Sequence, residues 1–194
     1  MSKKSPFDIP QEMKKLVLHA CCAPCSSAII EFLHHRQIEP IVFFFNPNIV
    51  PFDEYQHRKS ELIRYLNLFK IQFIDADYDH QQWLQSIEGL EEEPERGKRC
   101  AACFSFRLAK TALFATQNNI RFFTTTLTSS RWKDKNQIFT AGEQAQALYP
   151  TTVFWKMDWK KGGLSERRSQ IIKEQQFYNQ QYCGCEFGFF QSVE

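Results

Sequence analysis

Lys15-Leu16-Val17-Leu18-His19-Ala20-Cys21-Cys22-Ala23-Pro24-Cys25-Ser26-Ser27, followed by Ala28-Ile29-Ile30-Glu31-Phe32-Leu33-His34-His35, decides the fold class. Residues 15–18 form an apolar run too short for a helix and read as a buried strand. Ser26 or Ser27 can cap the helix whose body begins at Ala28. A strand feeding a helix through a short turn is half of a βαβ unit, and the rest of the chain repeats the alternation. Residues 41–45 read as a second strand, stopped by Asn46-Pro47-Asn48. An amphipathic helix over 52–69 follows, with Leu62, Ile63, Leu66 and Phe69 at helical spacing, and then a third strand over 71–74.

Residues 80–87 suit a short helix. Residues 89–99, with Glu91-Glu92-Glu93-Pro94 and Gly97, read as a mobile loop. A helix over 100–117 carries Phe104, Leu108 and Leu113 on one side. A fourth strand over 122–127, a helix over 136–148 closed by Pro150, a fifth strand over 152–155 and a last helix over 165–178 complete the pattern. The 194 residues fit one domain, 1–194. The expected class is α/β: a single domain with a mainly parallel sheet flanked by helices, and a cysteine-bearing C-terminal tail. Ligands in such sheets sit beyond the carboxyl ends of strands. The first cysteines fall at one such end and residues 124–133 at another.

All seven cysteines lie in three tight clusters: Cys21-Cys22-Ala23-Pro24-Cys25, Cys100-Ala101-Ala102-Cys103 and Cys183-Gly184-Cys185. Thiols used as small hydrophobes would scatter through the core. Neighbouring thiols suit chelation of a soft metal or redox exchange. Cys22 and Cys25 match a thioredoxin-type C-x-x-C, but Cys21 has no role in simple dithiol exchange. Cys100 and Cys103 have no second C-x-x-C nearby, which argues against a self-contained zinc finger. Two sulfurs from each of these clusters would meet the Cys₄ requirement of a [4Fe–4S] centre. Cys183 and Cys185, two apart in an extended segment, would point the same way. They could close a strained disulfide, bind a second metal, or serve as zinc ligands.

Lys plus Arg is 24 and Asp plus Glu is 22, a net charge of +2, which neither requires nor excludes a nucleic-acid partner. Met1-Ser2-Lys3-Lys4-Ser5-Pro6 carries no signal-peptide apolar run, and no stretch is long enough to span a membrane, so a cytoplasmic location without a membrane partner is expected. Reduced thiols rather than a disulfide framework fit that compartment.

The segments Leu18-His19-Ala20-Cys21-Cys22-Ala23-Pro24-Cys25, Arg99-Cys100-Ala101-Ala102-Cys103-Phe104-Ser105-Phe106-Arg107-Leu108 and Tyr182-Cys183-Gly184-Cys185 together resemble the QueH family of epoxyqueuosine reductases. Phe45-Asn46-Pro47-Asn48-Ile49 with Glu54, Tyr55 and Arg58, and Thr124-Thr125-Thr126-Leu127-Thr128-Ser129 with Lys133 and Asp134, agree with it. The resemblance implies an architecture similar to nucleotide α-hydrolase-like (PP-loop-like) domains. It implies removal of the epoxide oxygen from epoxyqueuosine at the wobble position of tRNA, giving queuosine, with electrons from an unidentified donor. It assigns Cys21, Cys22, Cys100 and Cys103 to a [4Fe–4S] cluster. Cys183 and Cys185 match a redox-active disulfide or ligands of a second mononuclear metal ion. Cys25 matches a position where some family members carry Asp instead, another anionic ligand. A second metal could polarise the epoxide oxygen as a Lewis acid.

An RNA substrate needs cations for phosphates and flat groups for unstacked bases. Three patches offer them: Arg131-Trp132-Lys133 with Lys135; Trp155-Lys156 and Trp159-Lys160-Lys161 through Arg167-Arg168; and Lys98-Arg99. Asp134 and Asp158 are proton-source candidates, or solvated surface carboxylates. Two rival readings remain open on the residues alone: a thiol–disulfide oxidoreductase using Cys22 and Cys25, and a zinc-stabilised nucleic-acid-binding module.

Overall fold

The computed structural model describes residues 7–189. Met1–Pro6, read above for the lack of an apolar run, lies outside them. Five strands form one sheet in the order β3-β2-β1-β4-β5, every neighbouring pair parallel: β1 (Lys15–His19), β2 (Glu39–Phe44), β3 (Phe73–Asp75), β4 (Phe122–Thr125) and β5 (Val153–Phe154). The helices are α1 (Ala23–His35), α2 (Phe52–Asn67), α3 (His80–Ser86), α4 (Lys98–Gln117), α5 (Lys135–Leu148), α6 (Leu164–Glu174) and the short α7 (Glu186–Phe189). The α/β expectation and the parallel sheet hold. Among the described residues no helix is long and apolar enough to cross a membrane.

The order records where the chain reverses direction across the sheet. From β1 it steps outward to β2 and β3, then returns to lay β4 on the other side of β1 and β5 beyond it. Connections leaving β1 and β4 therefore diverge and open a crevice at their carboxyl ends, the usual ligand position of such sheets. His19 and Thr125, the last residues of those strands, are partners in register. His19 Nδ1 lies 2.8 Å from Thr125 Oγ1, and Nε2 lies 3.1 Å from the Phe45 carbonyl oxygen, so one imidazole ties three strand ends together. Burial, with Arg107 nearby, lowers its pKa to about 3, which keeps the ring neutral.

Several element ends differ from the sequence reading, each for a local reason. The α1 helix starts at Ala23 with Cys22 as its N-cap, not at Ser26 or Ser27. Pro24 suits the first turn, where its missing N–H costs nothing. The Ser26 hydroxyl donates back to the Cys22 carbonyl at 2.7 Å instead of capping. The fourth strand stops at Thr125, because Thr125 Oγ1 accepts the Leu127 N–H at 3.1 Å and turns residues 126–129 into a 3-10 helix. The helix expected over 165–178, α6, ends at Glu174, where Gln176 takes φ 52° and the Phe177 N–H closes on Ile172. Residues 89–99 are tied rather than loose. Arg99, only 1% exposed, donates from Nη1 to the carbonyls of Glu91 and Glu93, and the Lys98 N–H reaches Glu93 Oε2.

Both faces of the sheet are covered. The α1, α2 and α6 side buries Leu16, Leu18, Ile30, Leu33, Phe44, Leu62 and Trp159; the α4 and α5 side buries Val17, Phe43, Leu108, Phe123 and Ile138. Gly142 lets α5 approach β5: a Cβ there would lie 2.2 Å from the Phe154 ring. Gly142→Ala is expected to destabilise the fold by about 1–3 kcal/mol, the usual cost of overpacking. Urea unfolding checks it, and an unchanged midpoint would refute the close packing of α5 on β5.

Candidate functional site

Three of the predicted ligands meet where β1 ends. The sulfurs of Cys21, Cys22 and Cys25 lie within 4.8 Å of one another, and Cys21 Sγ is 3.7 Å from Cys22 Sγ. The early start of α1 places Cys25 in the first helical turn, so its side chain folds back toward the N-cap. Among the described residues this is the sole group of three or more such donors that could share a metal ion. Hydrogen bonds from Cys22 and Cys25 hold the Cys21 thiol well below the usual thiol range. Burial, with the hydrogen bond to Cys21, pushes Cys22 well above it. Hydrogen bonding to Cys21 also takes Cys25 up to about 11. A third sulfur within 4.8 Å of both Cys22 and Cys25 has no counterpart in a thioredoxin-type pair.

The other two clusters approach from α4 and the tail. Cys100 packs against the apolar cluster that contains Cys21 and Cys22. Its Sγ accepts the Arg96 N–H at 3.3 Å. Burial pushes its thiol up to about 11, with Cys183 and Cys103 adding to the rise. Cys103 sits in a separate small cluster with Trp83 and Ile87, and Cys185 packs against it. The backbone between Cys183 and Cys185 is not the extended segment expected: Gly184 turns at φ 106°. Cys183 consequently lines the cavity described next, whereas Cys185 faces Cys103 and Trp83. All seven cysteines are free thiols.

A cavity of about 220 Å³ opens above Cys21 and Cys25 and is walled by Arg58, Lys133, Arg168 and the tail through Cys183. Four cations line it (Arg58, Arg131, Lys133, Arg168), and no Asp or Glu does. Lys133 is raised above the usual lysine range: burial opposes its charge, but Cys183, Cys21 and Cys25 together outweigh that. On the tail side, Gln180 Nε2 donates to Cys22 Sγ at 2.7 Å. The donor set is soft and buried, as a thiolate-bound metal centre requires.

Arg107 joins α4 to the strand ends. Its Nη2 donates to Asn46 Oδ1, its Nη1 lies 4.0 Å from Cys103 Sγ, and Asn46 Nδ2 donates to the Ala20 carbonyl at 2.9 Å. The second cysteine cluster is thereby braced against the turn carrying the first. The model of the family described as "Epoxyqueuosine reductase QueH" matches residues 16–191. The chain belongs to the QueH family. A protein named epoxyqueuosine reductase QueH from Histophilus somni (strain 129Pt) is 47% identical over 179 residues, covering 92% of this chain and 74% of that protein. Its namesake in Haemophilus influenzae is 45% identical over 182 residues, covering 94% and 74%. The QueH of Thermotoga maritima is 31% identical over 185 residues and covers 94% of each chain.

The basic patches sort themselves by their partners. Arg167 is engaged by Glu31 (2.6 Å) and Glu174 (2.8 Å), and Arg99 by backbone carbonyls. Lys135 pairs with Asp158 at 2.8 Å and Lys156 with Glu143 at 2.6 Å. Only Arg131, Trp132, Lys133 and Arg168 of the three patches reach the cavity. Neither carboxylate considered as a proton source lines it: Asp134 caps α5 through the Gln137 N–H, and Asp158 holds Lys135. Sequence reasoning gave no role to Gln180, since nothing in a glutamine between Asn179 and Gln181 marks a sulfur contact made across the fold.

Proposed function

We propose that this chain reduces the epoxide of epoxyqueuosine in tRNA, leaving queuosine, at the thiol-floored cavity beyond β1 and β4. One observation carries the reading: the cysteine triad lies at the sheet's switch point, in a chain that shares its family across residues 16–191. The reaction breaks both C–O bonds of the epoxide and forms a C=C bond. It takes up two electrons and two protons and releases water. A [4Fe–4S] cluster on Cys21, Cys22, Cys100 and Cys103, with a second metal ion or dithiol at Cys25, Cys183 and Cys185, would supply the electrons one at a time from an external donor.

The chain's own residues do the rest. Lys133 and Arg58 offset the negative charge that thiolates bring to a buried site. Gln180 fixes the orientation of Cys22. The cavity is smaller than ordinary ligand clefts of 300 Å³ or more by roughly a quarter, so it admits a base-sized group and not a stacked helix. The wobble nucleotide would have to be splayed out to enter. A cytoplasmic location, where tRNA is found, goes with this reading.

Anaerobic iron and sulfide analysis, paired with nucleoside analysis of tRNA incubated with the protein and a low-potential reductant, tests it. Roughly four iron and four sulfide per chain are expected, with epoxyqueuosine converted to queuosine. Colourless protein holding zinc alone, with no conversion, would overturn the reading in favour of the zinc-stabilised nucleic-acid module.

A further inference from the structure

The four cations of the cavity are not equivalent. Each nitrogen of the Arg58 guanidinium has a partner, in Glu54 or one of two tail carbonyls. Lys133 faces the sulfurs. Of the other two, Arg131 is exposed and Arg168 half-buried. The Arg131 guanidinium has no hydrogen-bond partner among the described residues and lies 4.7 Å above the Trp132 ring. Arg168 gives one nitrogen to the Ser129 carbonyl, and its buried Nε has no partner among the described residues. Trp132 is 36% exposed, unusual for so large an apolar ring.

The loop that carries these groups is held in place before any ligand arrives. Arg96 donates to the carbonyls of Arg131 (2.9 Å) and Trp132 (3.4 Å), and the Trp132 N–H donates to Ser130 Oγ at 3.2 Å. Two guanidiniums with open donors beside a flat, exposed indole match one chemistry: a phosphate diester next to an unstacked base. A carboxylate ligand would satisfy the guanidiniums and leave the indole unused.

Resting on the tRNA reading above, we propose that Arg131, Arg168 and Trp132 form a subsite for the backbone phosphate and base adjoining the nucleotide that enters the cavity. Arg131 and Arg168 bind the phosphate and Trp132 stacks the neighbouring base. The reacting group then reaches the sulfurs from a backbone held at the rim. These residues set affinity for RNA and not the rate of reduction.

The test uses the metal-loaded full chain and an anticodon stem-loop RNA, with and without epoxyqueuosine. Binding of the unmodified stem-loop is followed by fluorescence anisotropy across salt concentrations, so this arm needs no turnover. Arg131→Gln is expected to weaken binding about tenfold, as for loss of one charge-assisted hydrogen bond. It should also flatten the log–log salt dependence by about one unit, the mark of one lost phosphate contact. Trp132→Leu should weaken binding with the salt slope unchanged. Lys14→Gln, whose exposed side chain stands at the amino end of β1 and outside the cavity lining, should change neither. On the modified stem-loop, Arg131→Gln should raise KM by a similar factor with kcat within about twofold, and the free epoxyqueuosine nucleoside should be reduced equally by parent and variant. An unchanged salt slope in Arg131→Gln, or an equal loss on the nucleoside, overturns the subsite. Failure of the parent protein to convert the stem-loop while the slopes behave as stated would overturn the reductase reading and leave the phosphate subsite standing.

Discussion

Arg58→Met is expected to stop turnover while leaving most of the fold in place. Arg58 is 2% exposed, so its charge must be met inside the protein. Its Nε pairs with Glu54 at 2.7 Å, one turn earlier on α2. Its two terminal nitrogens donate to the carbonyls of Cys183 (3.2 Å) and Tyr182 (3.4 Å), and the guanidinium covers the Tyr182 ring at 5.3 Å. The turn at Gly184 fits against the same group: a Cβ there would come within 3.1 Å of Arg58 Nη1 and 2.9 Å of Ile49. The Val50 N–H completes the seat by donating to the Gly184 carbonyl at 2.9 Å. Removing the guanidinium strands Glu54 and frees the tail carbonyls, at a cost of about 3 kcal/mol. That loss falls mainly on the tail, since α2 keeps its apolar face of Tyr55, Leu62, Tyr65 and Leu66.

Thiol accessibility separates this positioning role from a general loss of stability. In chelator-treated protein, alkylation of Cys183 should speed up more than tenfold in Arg58→Met, as expected when a tether worth a few kcal/mol is cut, with Cys100, held on α4 by the Arg96 N–H, unaffected. Arg58→Lys keeps the charge but cannot fork across both carbonyls, so it should restore stability more than turnover. Equal alkylation of Cys183 in parent and Arg58→Met would show that the tail is seated without Arg58.

The strand–turn–helix reading from Lys15 onward delivered the sheet and the crevice, because hydrophobic runs and turn residues are local signals. What escaped was set by single hydrogen bonds and turns, several of them local, that leave no periodic mark in the sequence. The α1 start depended on Pro24 and on a serine that bonds backward. The last strand residue of β4 was decided by one threonine hydroxyl. Arg99, which reads as a surface cation, is buried because the carbonyls of Glu91 and Glu93 wrap it, and no periodicity shows that. The cysteine clusters were visible at once, yet their grouping was not. Sequence spacing paired Cys183 with Cys185, whereas the turn at Gly184 sends one to the cavity and the other toward Cys103. Arg167 and Arg168 looked alike as neighbours, but helical geometry turns one to Glu31 and the other to the site.

Cysteine-to-serine changes, taken one at a time, should divide the seven thiols into two classes. Serine is close in size to cysteine but is a hard, neutral donor, so it removes soft thiolate ligation with little change in packing. Variants at Cys21, Cys22, Cys100 and Cys103 should lose visible absorbance and most iron after anaerobic purification, and with them at least about a hundredfold of activity, since loss of a mere outer-shell partner already costs roughly 10–100-fold. Variants at Cys183 and Cys185 should stay brown and still fail to turn over. Cys25 decides between two groupings. Its sulfur lies with those of Cys21 and Cys22, within 4.8 Å, but it also faces the cavity that Cys183 lines. If Cys25 serves the second metal or dithiol, Cys25→Ser keeps colour and loses turnover, and Cys25→Asp, an anionic replacement, restores part of it. If instead Cys25→Ser bleaches the protein while Cys100→Ser does not, the triad at the start of α1 carries the iron and the α4 cysteines are packing groups. Iron content measured beside colour settles each variant, since a colourless protein that retains iron would place the metal outside a sulfide cluster altogether.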